Sequence, residues 1–296
     1  MKIAYTSDMH SDITMNNRLL IPHLVNRIKE IRPDVFVIAG DVSNSLDNLD
    51  STLKQFDELE CLKVMIPGNH DIWIESNNSV RKSKDSFYKY RQAIPQICKN
   101  NGFLYPVTEP YIINNTAIVG NIGWYDFSLT DSRLALKYSF MDYARGTFDE
   151  GEWNDSKYAV WLKEPNSPNW KERLKRFRNN EVFELLFDEL KAVVQQIPES
   201  AEKLLIVLHT APFKDCILPK DIPCPFDAYE GSSRIGEFIN SVSKGRNVNV
   251  ICGHRHKKLF LEIENIKLYR SPVGYLDKSQ TDYERIAKEA IGEFDI

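Results

Sequence analysis

No stretch of this chain approaches the ~18 consecutive apolar residues that a membrane-spanning helix requires,. The N-terminus, MKIAYTSDMH, has no long apolar core and no small-residue cleavage site, so it does not read as a secretory signal,. There is no excess of basic charge either. The formal net charge is −4, which excludes an overall electrostatic footprint for nucleic acid,. Lys and Arg thicken only in NWKERLKRFRNN, residues 169–180, which reads as a solvated helix face,. Disulfide scaffolding is excluded as well. The five cysteines (Cys61, Cys98, Cys216, Cys224 and Cys252) are odd in number, irregularly spaced and without a CxxC pair, which points to a reducing, cytoplasmic setting,. Cys252 ends an apolar strand and is read as a buried, inert thiol. Internal repeats and low-complexity tracts are lacking.

What the chain does have is a recurring unit: a short apolar run that ends in polar residues. KIAYTS leads to Asp8, DVFVIAG to Asp41, LKVMIPG to Asn69, TAIVGNIGW to Trp124, KLLIVL to His209 and VNVICG to His254. Continuous Val/Ile/Leu runs of this length predict strands buried on both faces. Helical spacing separates some of them: Leu20, Leu24, Ile28 and Ile31 within residues 17–31, stopped by Pro33, and Val182, Leu186, Val193 and Ile197 within residues 181–197, stopped by Pro198,. Strands alternating with helices predict an α/β sheet, and in such sheets ligands sit beyond the carboxyl ends of the strands. Residues 259–274 read as a hairpin. Residues of about 125–180 are rich in Trp and Tyr and poor in strand pattern; they read as a cap inserted within a single domain spanning 1–296.

Gathered together, the strand-end groups are SDMH with Asp8 and His10, GDVS with Asp41, GNHD with Asn69, His70 and Asp71, LHTAP with His209, and CGHRH with His254 and His256. Five of the six histidines fall in this set; the other, His23, lies in the first helix and reads as an ordinary histidine. A set of carboxylate, amide and imidazole groups without thiolates disfavours structural zinc. It is too large for one ion. Asp8, His10 and His256 with Asp41 would hold one ion, and Asn69, His209 and His254 with Asp41 a second, Asp41 bridging. Two ions about 3.5–4 Å apart activate a water and clamp an in-line displacement at phosphorus. Mixed nitrogen and oxygen ligation suits Mn foremost, with Fe or Zn as alternatives. In an extended segment residues i and i+2 point the same way, which would bring Asp8 with His10, and His254 with His256, to one place. His70 is left at the rim as a proton donor to the leaving oxygen or a contact to phosphate. Asp71 either orients the His70 ring or caps the segment that follows.

These five blocks resemble the D-x-H, G-D, G-N-H-D/E, H and G-H-x-H blocks of the calcineurin-like metallophosphoesterase superfamily. The resemblance spans Asp8 to His256 and implies a four-layer α-β-β-α sandwich with the dinuclear site at the C-terminal strand ends. It also implies a bridging Asp41 and His70 as acid or phosphate-binding histidine. GDVSNSLDN lacks the Arg of the protein Ser/Thr phosphatase branch, and the third block ends in Asp71 rather than Glu. His70 stands where lipid-A-pathway pyrophosphatases carry Arg. The repair nucleases share GNHD but add basic surface and a second domain that are not found here. The expectation is a metal-dependent phosphoester hydrolase in which a metal-bridging hydroxide attacks phosphorus. It would act as a phosphatase or phosphodiesterase on a small phosphorylated molecule or nucleotide. A DNA or RNA nuclease is the alternative. A non-enzymatic scaffold is disfavoured because every ligand position is filled. For substrate contacts near the site the aromatic candidates are Trp73, Trp124, Tyr125, Trp153, Trp161 and Trp170, of which Trp124 and Tyr125 are favoured.

Overall fold

The computed structural model describes residues 1–74, 84–218 and 220–296. Two main sheets carry the fold. The first has the order β13-β1-β2-β3-β4, and the second β11-β12-β10-β9-β6-β5. In the first, β1 (Lys2–Thr6), β2 (Val35–Ala39), β3 (Leu62–Ile66) and β4 (Phe103–Leu104) run parallel, and β13 (Gly292–Asp295) pairs antiparallel with β1. In the second, β6 (Thr116–Asn121), β9 (Lys203–Leu208), β10 (Asn247–Ile251) and β12 (Ile266–Arg270) are parallel. The antiparallel strands β5 (Tyr111–Ile113) and β11 (Leu259–Ile263) close the two edges. All six apolar runs singled out above form strands, and residues 259–270 form the hairpin β11–β12, its tip marked by Glu264 at φ 54°.

Every residue of β2 and β6 is buried, as strands covered on both faces must be,. One face of each sheet packs on the other. Tyr5 of β1 meets Tyr269 of β12 edge-on with ring centroids 5.8 Å apart, and a Cβ added at Gly120 of β6 would stand 2.3 Å from Ile66 Cγ2 of β3. The remaining faces are covered by helices. Met15–Ile31 begins at Thr14, whose hydroxyl accepts from Asn17 N, and ends at Arg32 in the left-handed conformation before Pro33. It presents Leu20, Leu24 and Ile28, all fully buried. Asn179–Val194 covers the second sheet with Val182, Phe183, Leu186 and Leu190. The result is a mixed α/β sandwich with helices outside two packed sheets.

Before the helix Asn179–Val194 begins, residues from 125 onward contain only short elements: the 3-10 turn Ser132–Leu134, the helices Phe140–Arg145, Asp155–Tyr158 and Trp170–Arg173, and the two-stranded pair β7 (Thr147–Phe148) and β8 (Gly151–Glu152). The basic tract at 169–180 is helical only over Trp170–Arg173 and at its last two residues, where the helix Asn179–Val194 begins; between them Arg176 bridges Leu162 in an extended pairing. The five cysteines are free thiols, Cys252 fully buried. Among the described residues no helix is long and apolar enough to cross a membrane.

Candidate metal centre

The five strand-end blocks meet at the adjoining carboxyl ends of the two sheets. β1, β2 and β3 are neighbours in the first sheet and deliver Asp8, Asp41 and Asn69; β9 and β10 are neighbours in the second and deliver His209 and His254. The loops leave the strands abruptly. Asp8, His10, Asp41 and His254 have φ of 54°, 45°, 57° and 68°. Left-handed backbone at a non-glycine residue costs on the order of 1–3 kcal/mol and persists only where its surroundings over-determine it. The convergence of Asp8 with His10 therefore comes from these sharp turns and not from extended alternation. His254 and His256, expected to reach the centre through the same alternation, turn to different groups of side chains.

Two glycines let the β2 and β3 loops interleave. At Gly40, φ is 86° and a Cβ would stand 2.5 Å from Gly68 N; at Gly68 a Cβ would stand 2.1 Å from Asp41 Oδ1. Asp71 clasps the same loops. Its Oδ2 accepts from Asp41 N and Gly68 N, both at 2.8 Å, and its Oδ1 from Val42 N and Ser43 N, both at 2.9 Å. All four bonds go to backbone, and among the described residues Asp71 makes none to the His70 ring, against the orienting role the sequence suggested; the segment it was expected to cap runs into residues 75–83, outside those described. Burial, and then the Asp41 carboxylate, push its carboxyl up to about 7, against the four N–H donors.

The side chains fall into two groups joined at Asp41. In one, His256 Nε2 lies 3.5 Å from Asp8 Oδ1 and 3.0 Å from His10 Nε2, and His10 Nε2 lies 3.8 Å from Asp41 Oδ2. In the other, His209 Nε2 lies 3.3 Å from Asp41 Oδ2 and 3.1 Å from Asn69 Oδ1, and His254 Nδ1 lies 3.0 Å from Asn69 Oδ1. Potential ligand atoms of Asp8, His10 and His256 cluster together, as do those of Asp41, His209 and His254, and of His10, Asp41 and His70.

The charge pattern suits a cation. His209 Nδ1 is 2.8 Å from the Ala39 carbonyl, which fixes its N–H there and turns the Nε2 lone pair to the centre,. The Asn69 NH2 is likewise held by Asp155 at 2.9 Å, so Asn69 Oδ1 faces inward. Asn69 Oδ1 and the Asp41 carboxylate thus gather with the ring nitrogens of His209 and His254, a donor set that a bound cation suits. Burial pushes the His10 and His254 rings down to about 3, leaving them neutral and able to coordinate. Burial opposes ionisation of Asp41, yet the neighbouring His209, His70 and His10 rings hold its carboxyl well below the usual range. Burial lowers His209 too, but Asp41 more than offsets it, and the ring is raised to about 10. A metal held at that nitrogen would take the place of the proton.

His70 sits at the rim. Its backbone N–H donates to Asp41 Oδ1 at 2.8 Å. Its ring stacks on Trp73 with centroids 3.7 Å apart, and Nδ1 lies 3.0 Å from Asn44 Oδ1. Nε2 faces the Tyr275 hydroxyl at 3.3 Å. Tyr275 also stands edge-on to His256 at 4.5 Å and is half exposed. Sequence reasoning passed over Asn44, Asp155 and Tyr275. Asn44 lies inside the quoted GDVSNSLDN block, three residues beyond Asp41, and was the most findable of them. His23 pairs with the Tyr283 ring at 5.3 Å and takes no part in these groups.

The favoured aromatics are not available to a substrate. Trp124 and Tyr125 are fully buried and stacked on each other at 4.7 Å. Trp161 is buried too, and Trp170, 60% exposed, stands on the outer surface. Trp73 and Trp153 are the indoles that reach the centre, the former against His70 and the latter 5.9 Å from the His254 ring.

A family model described as calcineurin-like phosphoesterase matches residues 1–258. No curated protein sequence matches the chain. Among solved structures, the phosphopantetheinyl hydrolase PptH of Mycobacterium tuberculosis superposes with a TM-score of 0.70 at 15% identity, over 99% of this chain and 95% of that one. A dimetal phosphatase of Danio rerio superposes with a TM-score of 0.50 at 15% identity, over 91% and 86% of the two chains. At such identities the likeness establishes the fold.

Proposed function

The chain belongs to the calcineurin-like phosphoesterase family, and from that premise we propose that it hydrolyses a phosphate ester of a small molecule or nucleotide at the centre described above. Hydrolysis of phosphoesters with the help of metal ions is the family's chemistry. The observation that carries the assignment to this site is the convergence of Asp8, His10, Asp41, Asn69, His209, His254 and His256, whose oxygens and ring nitrogens stand 3.0–3.8 Å from their neighbours in the set. In this reading Asp8, His10, His256 and Asp41 hold one ion, and Asn69, His209, His254 and Asp41 the second. Manganese fits the mixed donor set best, with iron or zinc next. Two such ions supply an activated water and charge neutralisation at a phosphoryl group.

The chain's own residues do the rest. Ala39 and Asp155 present His209 and Asn69 with their acceptors turned inward. His70, with Nδ1–H given to Asn44, directs Nε2 at the space under Tyr275. There it contacts a phosphate oxygen and, when protonated, gives its Nε2 proton to the leaving oxygen. Residues 125–180, read here as a cap, bring Trp153 within 5.9 Å of the His254 ring and Tyr158 within 5.0 Å of Trp73, while Tyr275 stands 4.5 Å from the His256 ring. That arrangement, together with a net charge of −4, supports a small substrate over a nucleic acid,.

The test is hydrolysis of p-nitrophenyl phosphate and bis-p-nitrophenyl phosphate by metal-stripped protein refilled with Mn²⁺, followed by a panel of phosphorylated metabolites, nucleotides and a phosphopantetheinyl ester. Turnover that returns with Mn²⁺ and disappears in Asp41→Ala is expected. Turnover that survives Asp41→Ala, or preferential cleavage of polynucleotide, would overturn the reading.

A further inference from the structure

Asp155 opens the short helix Asp155–Tyr158, far in sequence from every block of the centre, and is 1% exposed. Its carboxylate accepts four hydrogen bonds. Oδ1 takes Asn69 Nδ2 at 2.9 Å and Trp73 Nε1 at 2.6 Å; Oδ2 takes Trp153 Nε1 at 3.0 Å and Tyr125 Oη at 3.2 Å. None of the four donors is a Lys or Arg. A buried carboxylate served by neutral donors alone is a costly arrangement, offset only because every donor is aimed at it. Three of those donors are N–H groups with no acceptor character at the bonding atom, so the network reads in one direction only.

Asn69 is where this matters. A side-chain amide fits its cavity nearly as well after a half-turn that exchanges oxygen and nitrogen. Flipped, it would aim NH2 at His209 Nε2 and His254 Nδ1 and repel a cation. We propose that Asp155 is a positioning residue that latches the Asn69 amide with its oxygen inward, and that it thereby makes the Asn69–His209–His254 half of the centre depend on the aromatic segment. Trp73 extends the latch: the indole that donates to Asp155 is the one on which His70 stacks. One carboxylate thus ties Trp153 and Tyr125 to the inner group and to the rim histidine. The inference rests on the reading of this centre as a two-ion site.

The test counts ions. Wild type and Asp155→Asn, each checked for folding by circular dichroism, are stripped, titrated with Mn²⁺ and analysed for metal content and free Mn²⁺. Two equivalents in the wild type are expected; fewer would count against the two-ion reading itself and is thereby separated from failure of the latch. Asp155→Asn is expected to keep one equivalent and to bind the other about 10–100-fold more weakly, the usual loss on removing an outer partner of a ligand. The kcat for bis-p-nitrophenyl phosphate should fall with little change in KM. Equal weakening of both ions, or of neither, overturns the proposal. If Asp155→Asn does not fold, the wild-type protein decides. The Asn69 side-chain NH2 resonances, identified by their loss in Asn69→Asp, are expected to exchange slowly with water; exchange at the rate of a free asparagine overturns the latch.

Discussion

The two halves of the centre are built to different standards. The Asn69–His209–His254 half is braced from behind: a backbone carbonyl fixes the His209 tautomer, a buried carboxylate takes the Asn69 amide, and the His209 side chain is wholly shielded. In the Asp8–His10–His256 half Asp8 and His10 are fully buried, but the His256 side chain is 26% exposed, and among the described residues His10 Nδ1 is buried with no hydrogen-bond partner. Outer partners commonly set ligand affinity by tenfold or more. The difference teaches that the first half has outer partners behind an imidazole and an amide, whereas in the second the outer partners, Ser7 and the His254 N–H, go to the Asp8 carboxylate and leave the histidines less braced.

The strongest way to break this comparison is at its hinge. Asp41 borders both groups, so Asp41→Ala should abolish binding of both ions and lower kcat/KM by well over 100-fold, beyond the ~10–100-fold of an outer partner; metal analysis with Mn²⁺-loaded protein checks it. Next, His70→Ala should leave both ions in place while kcat falls about 10²–10⁴-fold for alkyl phosphate esters and less for nitrophenyl esters, whose leaving group needs no proton. Equal losses on both substrates would remove the acid role. Asp71→Ala strands four backbone N–H groups beneath the centre and should cost about 4 kcal/mol of stability, read as a lower urea midpoint at unchanged slope. Graded chelation sharpens the comparison directly. Substoichiometric EDTA should take one equivalent first, and His256→Asn should abolish that phase alone. The smallest effect is expected from Asn44→Ala, about tenfold in kcat, because it frees the His70 ring without removing it.

These expectations began with what one-dimensional order can carry. The apolar runs that became β1, β2, β3, β6, β9 and β10 are buried on both faces and therefore continuous in sequence. Each residue of the proposed centre follows its strand within a few positions, so which side chains would gather there was legible. The supports were not. Asp155 meets Asn69 across 86 positions and Tyr275 meets His70 across 205. An isolated aspartate or tyrosine carries no sign of such a meeting. Asp71 was misread for a related reason: a carboxylate beside a histidine suggests a pair, whereas the turn after β3 aims it at the backbone of another loop. Trp124 and Tyr125 follow a strand as the ligands do, but they turn into the core. The strand β13 and the helix Tyr283–Ala290 lay in a tail where short elements lack a readable period.

The backbone around the ligands has a consequence for the lifetime of the folded state. Val273 N and Gly274 N donate to Ser7 O and Asp8 O, both at 3.0 Å, and Asp8 Oδ1 accepts from His254 N at 3.0 Å. Ser7 pairs with Pro272, and Thr6 Oγ1 reaches Ser271 O. The place where ligands gather is thus the seam along which the first sheet is sewn to the second. Local opening there would part the two sheets, so amide protons of the seam should exchange with solvent only through the largest unfolding events of the molecule. The end of the molecule where the proposed ligands gather should therefore be its slowest to breathe.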